Sequence, residues 1–199
     1  MNFLAHLVLS EGGDQVMAGN FFANQAKGNS WKRLSEKYAE GVILHRAIDS
    51  YVDNHQIILD AKKRLSPNFG KFKGVLLDIY WDHFLAQNFM NHCGKDRNEF
   101  VSYSLNVLKK HSDIFNTKSR HMIVRMEKEN WLNDYSHLDG IDNILCQMSN
   151  RFRYENPLDK GINGLKENYL ALSNDFKTLW PDLKSKFGMH PFFSEKIHS

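Results

Sequence analysis

Phe72-Lys73-Gly74-Val75-Leu76-Leu77-Asp78-Ile79-Tyr80-Trp81-Asp82-His83-Phe84-Leu85 opens a stretch, running to Asn91, that is apolar nearly all round. A surface helix carries one apolar stripe, whereas a helix apolar on every side is central and buried. Residues 72–91 are therefore read as the middle of an all-α fold. Upstream, Ser66-Pro67-Asn68 and Gly70 break the chain. Before that break, Tyr38, Val42, His45, Asp49 and Val52 share one face of a helix over 36–53. Downstream, the same periodicity predicts helices over 98–111, 118–133 and 137–150. Over 165–179, Leu165, Tyr169, Leu172, Phe176 and Leu179 recur at steps of four and three. Trp180-Pro181 marks an interruption or an end. Alternating strand patterns, repeats and linkers are scarce or missing. The expectation is one irregular helical domain over 1–199 with about seven to nine helices, and 181–199 either packed on it or forming a tail.

Composition agrees. A chain of 199 residues with 42% hydrophobic and 13% aromatic residues builds its own core, and it is not a disordered sequence. Gly 12 and Pro 4 leave long uninterrupted stretches for helices. Cys93 and Cys146 are too few for a disulfide framework or a cysteine-rich zinc site. Cys146 falls on an apolar helical stretch and is expected in the core; Cys93 falls at a helix end. The net charge of +3 is not that of a dedicated nucleic-acid binder. Basic residues do gather over 60–73 and 109–128, which suits an acidic partner or a phosphate as well as an ordinary solvated face. No run approaches the roughly 20 apolar residues of a membrane span. The apolar opening lacks the basic region of a secretion signal. A cytoplasmic protein with neither a nucleic-acid nor a membrane partner is expected.

The informative anomalies are ionisable groups inside apolar stretches. Asp78 and Asp82 stand four apart in the most hydrophobic helix, with His83 beside them. His45 and Asp49 make a second such pair, with Asp53 one turn on, and His6 sits inside the run Phe3 to Leu9. A buried carboxylate without a partner costs several kcal/mol, so each needs an arginine, backbone donors or a metal. Imidazole with carboxylate is the ligand set of a hydrolytic divalent site. Imidazole suits Zn, Fe, Ni or Mn, and carboxylates shift the balance towards Mn or Mg. Each cluster also reads as a satisfied core group, for instance with Asp78 and Asp82 clamping Arg46. No Gly-x-Ser-x-Gly, glycine-rich phosphate loop or dinucleotide fingerprint is present. Arg151 and Arg153, at the exit of the helix ending near Asn150, can fork onto a phosphate or close the helix.

Five blocks together resemble one family. They are Met1-Asn2-Phe3-Leu4-Ala5-His6-Leu7, Gly19-Asn20-Phe21-Phe22-Ala23-Asn24-Gln25-Ala26-Lys27-Gly28, His45-Arg46-Ala47-Ile48-Asp49 with Asp53, Asp78 followed by Trp81-Asp82-His83-Phe84-Leu85, and Met148-Ser149 with Arg151 and Arg153. In this order, from residue 1 to about 180, they look like the acyl carrier protein phosphodiesterase (ACP hydrolase) family. The resemblance implies a divergent HD-type, all-helical phosphohydrolase fold. It also implies a manganese-dependent phosphoric diester hydrolase that removes 4′-phosphopantetheine from holo acyl carrier protein. His6, His45, Asp49, Asp78, Asp82 and His83 match ionisable family positions. His45, Asp82 and His83 are the first choice as metal ligands, with Asp49 next, and His45 is expected close to Asp82 or His83. His6 is the candidate acid for the leaving oxygen, and Asp78 is placed with the catalytic groups. Arg46, Arg151 and Arg153 are candidates for the phosphoryl charge.

One departure matters. The family pattern has Ala-Asp where this chain has Ala23-Asn24. The aspartate there would be a ligand or a base. Asn24 keeps a carbonyl acceptor but loses charge and basicity. Two other readings of the same residues stand beside the phosphodiesterase. One is a non-catalytic helical module that binds an acidic protein or a phosphorylated ligand. The other is a metal phosphohydrolase acting on a nucleotide.

Overall fold

A computed structural model describes residues 1–194. Among these residues there are twelve α-helices, short 3-10 turns and no strand. The first half comprises α1 (Phe3–Val8), α2 (Asp14–Phe22), α3 (Glu36–Asn54), α4 (Gln56–Arg64), α5 (Lys73–Gln87) and α6 (Phe89–Cys93). The second half comprises α7 (Arg97–Lys110), α8 (Thr117–Lys128), α9 (Trp131–Asp134), α10 (Leu138–Ser149), α11 (Gly161–Glu167) and α12 (Tyr169–Phe187). The all-α expectation holds, and α5 is the central element. Its Leu76, Leu77, Ile79, Tyr80, Trp81, Phe84, Leu85 and Ala86 are all buried. The buried apolar side chains form one cluster from Met1 to Phe187.

There are more helices than periodicity predicts, because three expected helices break, each at an asparagine. The stretch 72–91 divides at Asn88, 118–133 at Asn130 and 165–179 at Asn168. Asparagine competes for backbone groups and tolerates the left-handed region. Asn130 stands at φ 53°, and the Asn168 side chain donates to Gly164 O at 3.0 Å. Conversely, the helix does not stop at Trp180-Pro181; α12 runs on to Phe187. Pro181 lies on the exposed face, so the carbonyl it leaves unbonded faces water, while Trp180, Leu183 and Phe187 carry the apolar stripe onward. Residues beyond α12 pack on the domain. His190 N–H donates to Val8 O at 2.8 Å, and the Phe192 and Phe193 rings lie against Phe100. Positions 195–199 of the expected tail lie outside the described residues. Cys146 is a correction: it is only partly buried, because the buried positions of α10 are Gly140, Ile141 and Leu145. Cys93 is buried, which pushes its thiol up to about 12 and removes it as a nucleophile.

Two contacts set the positions of the helices that carry the polar clusters. The first joins α1 to α5. Six residues make a marginal helix in isolation. The fully buried Asp82 carboxylate accepts the Leu4 N–H at 2.7 Å and the Ala5 N–H at 3.2 Å, which would otherwise be orphaned at the start of α1. Burial pushes Asp82 up to about 7, even though these bonds and the Met1 ammonium favour its charge. The second is a backbone approach of α2 to α3. A Cβ on Gly19 would lie 2.1 Å from Tyr38 O, and one on Gly41 would lie 2.2 Å from Val16 O. Only glycine allows that approach.

Asp82→Ala leaves both N–H groups unpaired and should cost about 1–3 kcal/mol in urea unfolding, with Asp82→Asn recovering part of it. Because the folded carboxyl titrates at about 7 rather than 3.8, native stability should fall as pH rises from about 4 to about 7 and level off above that, a fall that Asp82→Asn lacks. Gly41→Ala forces the two backbones apart and should cost about 1–3 kcal/mol in the same measurement.

Candidate metal centre

The α2–α3 approach brings Asn20 against His45. Asn20 is fully buried, and its amide nitrogen donates to His6 O at 2.9 Å and to Ser10 Oγ at 3.2 Å. A carbonyl only accepts, so this bond settles which way the amide points. Its Oδ1 then lies 2.9 Å from His45 Nδ1 and must accept a proton from it. With Nδ1 held by Asn20, the ring turns its Nε2 the other way. That atom lies 3.2 Å from Asp49 Oδ2, one turn on along α3. A lone pair facing a carboxylate is repulsive unless Nε2 takes a proton or a cation lies between them.

His6 approaches from α1, placed by the Asp82 bonds. Its ring stacks on that of His45 at 4.0 Å, and its Nε2 lies 3.1 Å from Asp49 Oδ1. His6 Nδ1 is buried without a hydrogen-bond partner among the described residues. Burial, with His45 and the Met1 ammonium close by, lowers the His6 pKa to about 4 against the pull of Asp49, so the ring is neutral near pH 7. Burial opposes the Asp49 charge, but hydrogen bonds from His45 and His6 outweigh it and hold the carboxyl well below the usual range. One donor atom from each of His6, His45 and Asp49 lies within 4.8 Å of the other two. Two imidazoles and one carboxylate match a divalent transition metal, and three protein donors leave coordination positions open, as catalytic sites do. Asn20 is the outer partner that orients such a ligand.

His45 and Asp49, with the buried His6 behind them, face a cleft of about 300 Å³ that is also lined by Asp53, Asp78, Asn24, Asn2 and Met148, among others. Asp78 is ion-paired at 2.8 Å with the buried Met1 ammonium. Asp53 pairs with Lys62 at 3.2 Å. Asn24 stands at the rim, and its amide nitrogen donates to Phe21 O at 3.0 Å.

The expected ligands are thus only partly brought together. His45 and Asp49 meet, but their companion is His6 rather than Asp82 or His83. Asp82 turns to the start of α1. His83, also fully buried, has both ring nitrogens engaged: Nδ1 with Tyr135 O at 2.7 Å and Nε2 with the Tyr169 hydroxyl at 3.0 Å. His6, the candidate acid, is buried with its Nε2 3.1 Å from Asp49 Oδ1, where it faces the carboxylate as a donor atom. Arg46 faces away from the cleft; it lies over Trp31 at 5.4 Å and donates to Gly28 O. It clamps neither Asp78 nor Asp82, whose partners are the Met1 ammonium and backbone N–H groups. Arg151 lies over Trp131 at 5.7 Å in a groove beside the cleft, and Arg153 is exposed in the following turn. Asn20 escaped the sequence reading. Its signal was a polar residue between Gly19 and Phe21 in an otherwise apolar helix.

Comparison with known proteins agrees with this arrangement of blocks. A family profile described as acyl carrier protein phosphodiesterase matches residues 1–183. A relative of that name from Yersinia enterocolitica is 26% identical over 189 residues, covering 94% of this chain and 97% of the relative. Another, from Enterobacter sp. strain 638, is 29% identical and covers 91% of this chain and 94% of its own. A third, from Photorhabdus laumondii, is 26% identical over 97% of this chain and 98% of its own. No solved structure matches. Among the described residues, no helix is long and apolar enough to cross a membrane. With its profile match running from the His6 block past the Arg151 block, the chain belongs to the acyl carrier protein phosphodiesterase family.

Proposed function

We propose that the protein is a manganese-dependent phosphodiesterase that hydrolyses the link between 4′-phosphopantetheine and the serine of holo acyl carrier protein. The observation that carries this reading is the His6–His45–Asp49 triad, with His45 turned by Asn20 so that its Nε2 faces a carboxylate. The family relationship supplies the substrate. An HD-type phosphohydrolase architecture is part of the same reading.

His6 Nε2, His45 Nε2 and Asp49 would hold the ion. A divalent ion there supplies Lewis-acid polarisation of a phosphoryl oxygen. Asp78, which also lines the cleft, would take a proton from the attacking water. Attack forms a bond from water oxygen to phosphorus and breaks the bond from phosphorus to the serine oxygen. The serine oxygen takes up the proton that Asp78 received, becoming the hydroxyl, and the phosphate leaves on the pantetheine. Arg151, next to the cleft, stabilises the phosphoryl charge. Exposed basic residues of α8, including Lys118 and Lys128, give an acidic carrier a complementary face.

Incubation of holo carrier protein with the chain and manganese should convert it to the apo form, read as loss of one phosphopantetheine from the intact mass. A chelator should stop the conversion. Asp49→Asn should slow it about 100-fold or more while leaving the helical circular dichroism intact. Full activity in Asp49→Asn, or in chelator, would remove the metal from this reading.

Asn24 gives a second test. A carboxylate at this rim adds negative charge to a cleft already walled by Asp49, Asp53 and Asp78. Asn24→Asp should bind manganese more tightly and turn over faster than the native chain, measured by calorimetry and by the same mass assay. Equal values in the two proteins would show that position 24 carries neither role.

A further inference from the structure

The cleft does not end at Met148. A second groove of about 240 Å³ begins at the same three residues, Asn2, Asn24 and Met148, and continues between α9 and α10. Its walls are Trp131, Tyr135 and Ile144, with Gln147 and Arg151 along one edge. Ile144 and Met148 stand four apart on α10 and share an apolar face, with Gln147 beside them on the same helix and Arg151 in the turn that follows it. The groove thus runs into the Met148 to Arg153 block of the sequence, none of which is among the metal donors.

We propose that this groove holds the pantetheine arm of the substrate while its phosphate lies in the cleft. The inference rests on the reaction proposed above. A chain leaving the phosphate has to exit past Asn2, Asn24 and Met148 to follow the continuous surface. The groove then meets it with chemistry suited to an uncharged, flexible, amide-bearing chain. Apolar walls face its methylene and methyl groups, and the Gln147 and Asn24 amides can each donate and accept towards its amides. Arg151 stands where the groove meets the wider surface of α8.

A nucleotide fits less well. The natural platform for a base is Trp131, but it is only 9% exposed and two guanidinium groups lie over its ring, Arg125 at 5.2 Å and Arg151 at 5.7 Å. Arg125 is held there by Glu129, which also accepts the Trp131 indole N–H at 2.8 Å. A base could stack only by breaking that set.

The test is calorimetric titration of pantetheine 4′-phosphate into the manganese-loaded full chain. The native protein should bind it, and Ile144→Trp, which fills the groove, should weaken binding at least tenfold. Leu170→Trp, the same bulk at an exposed site on α12, should stay within twofold of native. If Ile144→Trp lowers the thermal midpoint, Gln147→Trp, at an exposed position on the same helix, takes its place with the same tenfold loss expected. No binding to the native chain, or binding within twofold in the groove variant that folds, overturns the proposal. The mass assay on holo carrier runs in parallel. Hydrolysis by the native chain with unweakened binding in the variant sinks the groove and leaves the reaction standing. Tenfold weakening without any hydrolysis sinks the reaction and leaves the groove as a site for this chain.

Discussion

Everything at the metal centre depends on one buried carboxylate that is not part of it. Asp82, deep in the apolar α5, accepts the Leu4 and Ala5 N–H groups and so fastens the short α1 to the middle of the domain. A six-residue helix has too few internal bonds to persist alone. Fastened at its start, where the helix dipole favours a negative charge, it delivers His6 one turn later to the face of His45. Burial makes the carboxylate costly, and the two N–H bonds with the neighbouring Met1 ammonium offset that cost.

The second constraint is steric. Gly19 and Gly41 let the backbones of α2 and α3 touch where any side chain would hold them apart. Asn20 follows Gly19, and His45 lies one turn beyond Gly41, so the same approach makes the Asn20–His45 hydrogen bond. That bond decides the tautomer of His45 and therefore which nitrogen faces Asp49. The donor set is preorganised by backbone contacts and a buried amide rather than by an ion, which is how a site can be ready before it is loaded.

The asparagine breaks serve the other half of the site. Asn130, in the left-handed region, ends α8 and starts α9, and this turn sets Trp131 against Arg125 and Arg151 at the edge of the groove. Without the break, α8 would run straight through the positions that now form the wall opposite α10. The metal cleft and the groove meet at Asn2, Asn24 and Met148, which come from three separate parts of the chain.

From the sequence alone, the helical class, the central place of residues 72–91 and the existence of polar clusters in the core were all legible. Periodicity and burial are local properties, and an ionisable residue in an apolar run announces that it needs a partner. The blocks also carried the family resemblance that the profile match bears out. The sequence could not say which partner each group takes. Asp49 and Asp82 look alike as carboxylates four residues from another polar residue, yet one faces two imidazoles and the other two backbone N–H groups. His6 and His83 both sit in apolar runs, yet His83 has both nitrogens engaged and His6 does not. Those outcomes depend on the crossing of α1, α2, α3 and α5. Contacts between residues far apart in the chain, such as Gly19 with Tyr38 and Leu4 with Asp82, set that crossing, and no spacing along the chain encodes them. Only the tertiary structure could decide them, because a partner is chosen by distance in space and by which lone pairs are already occupied.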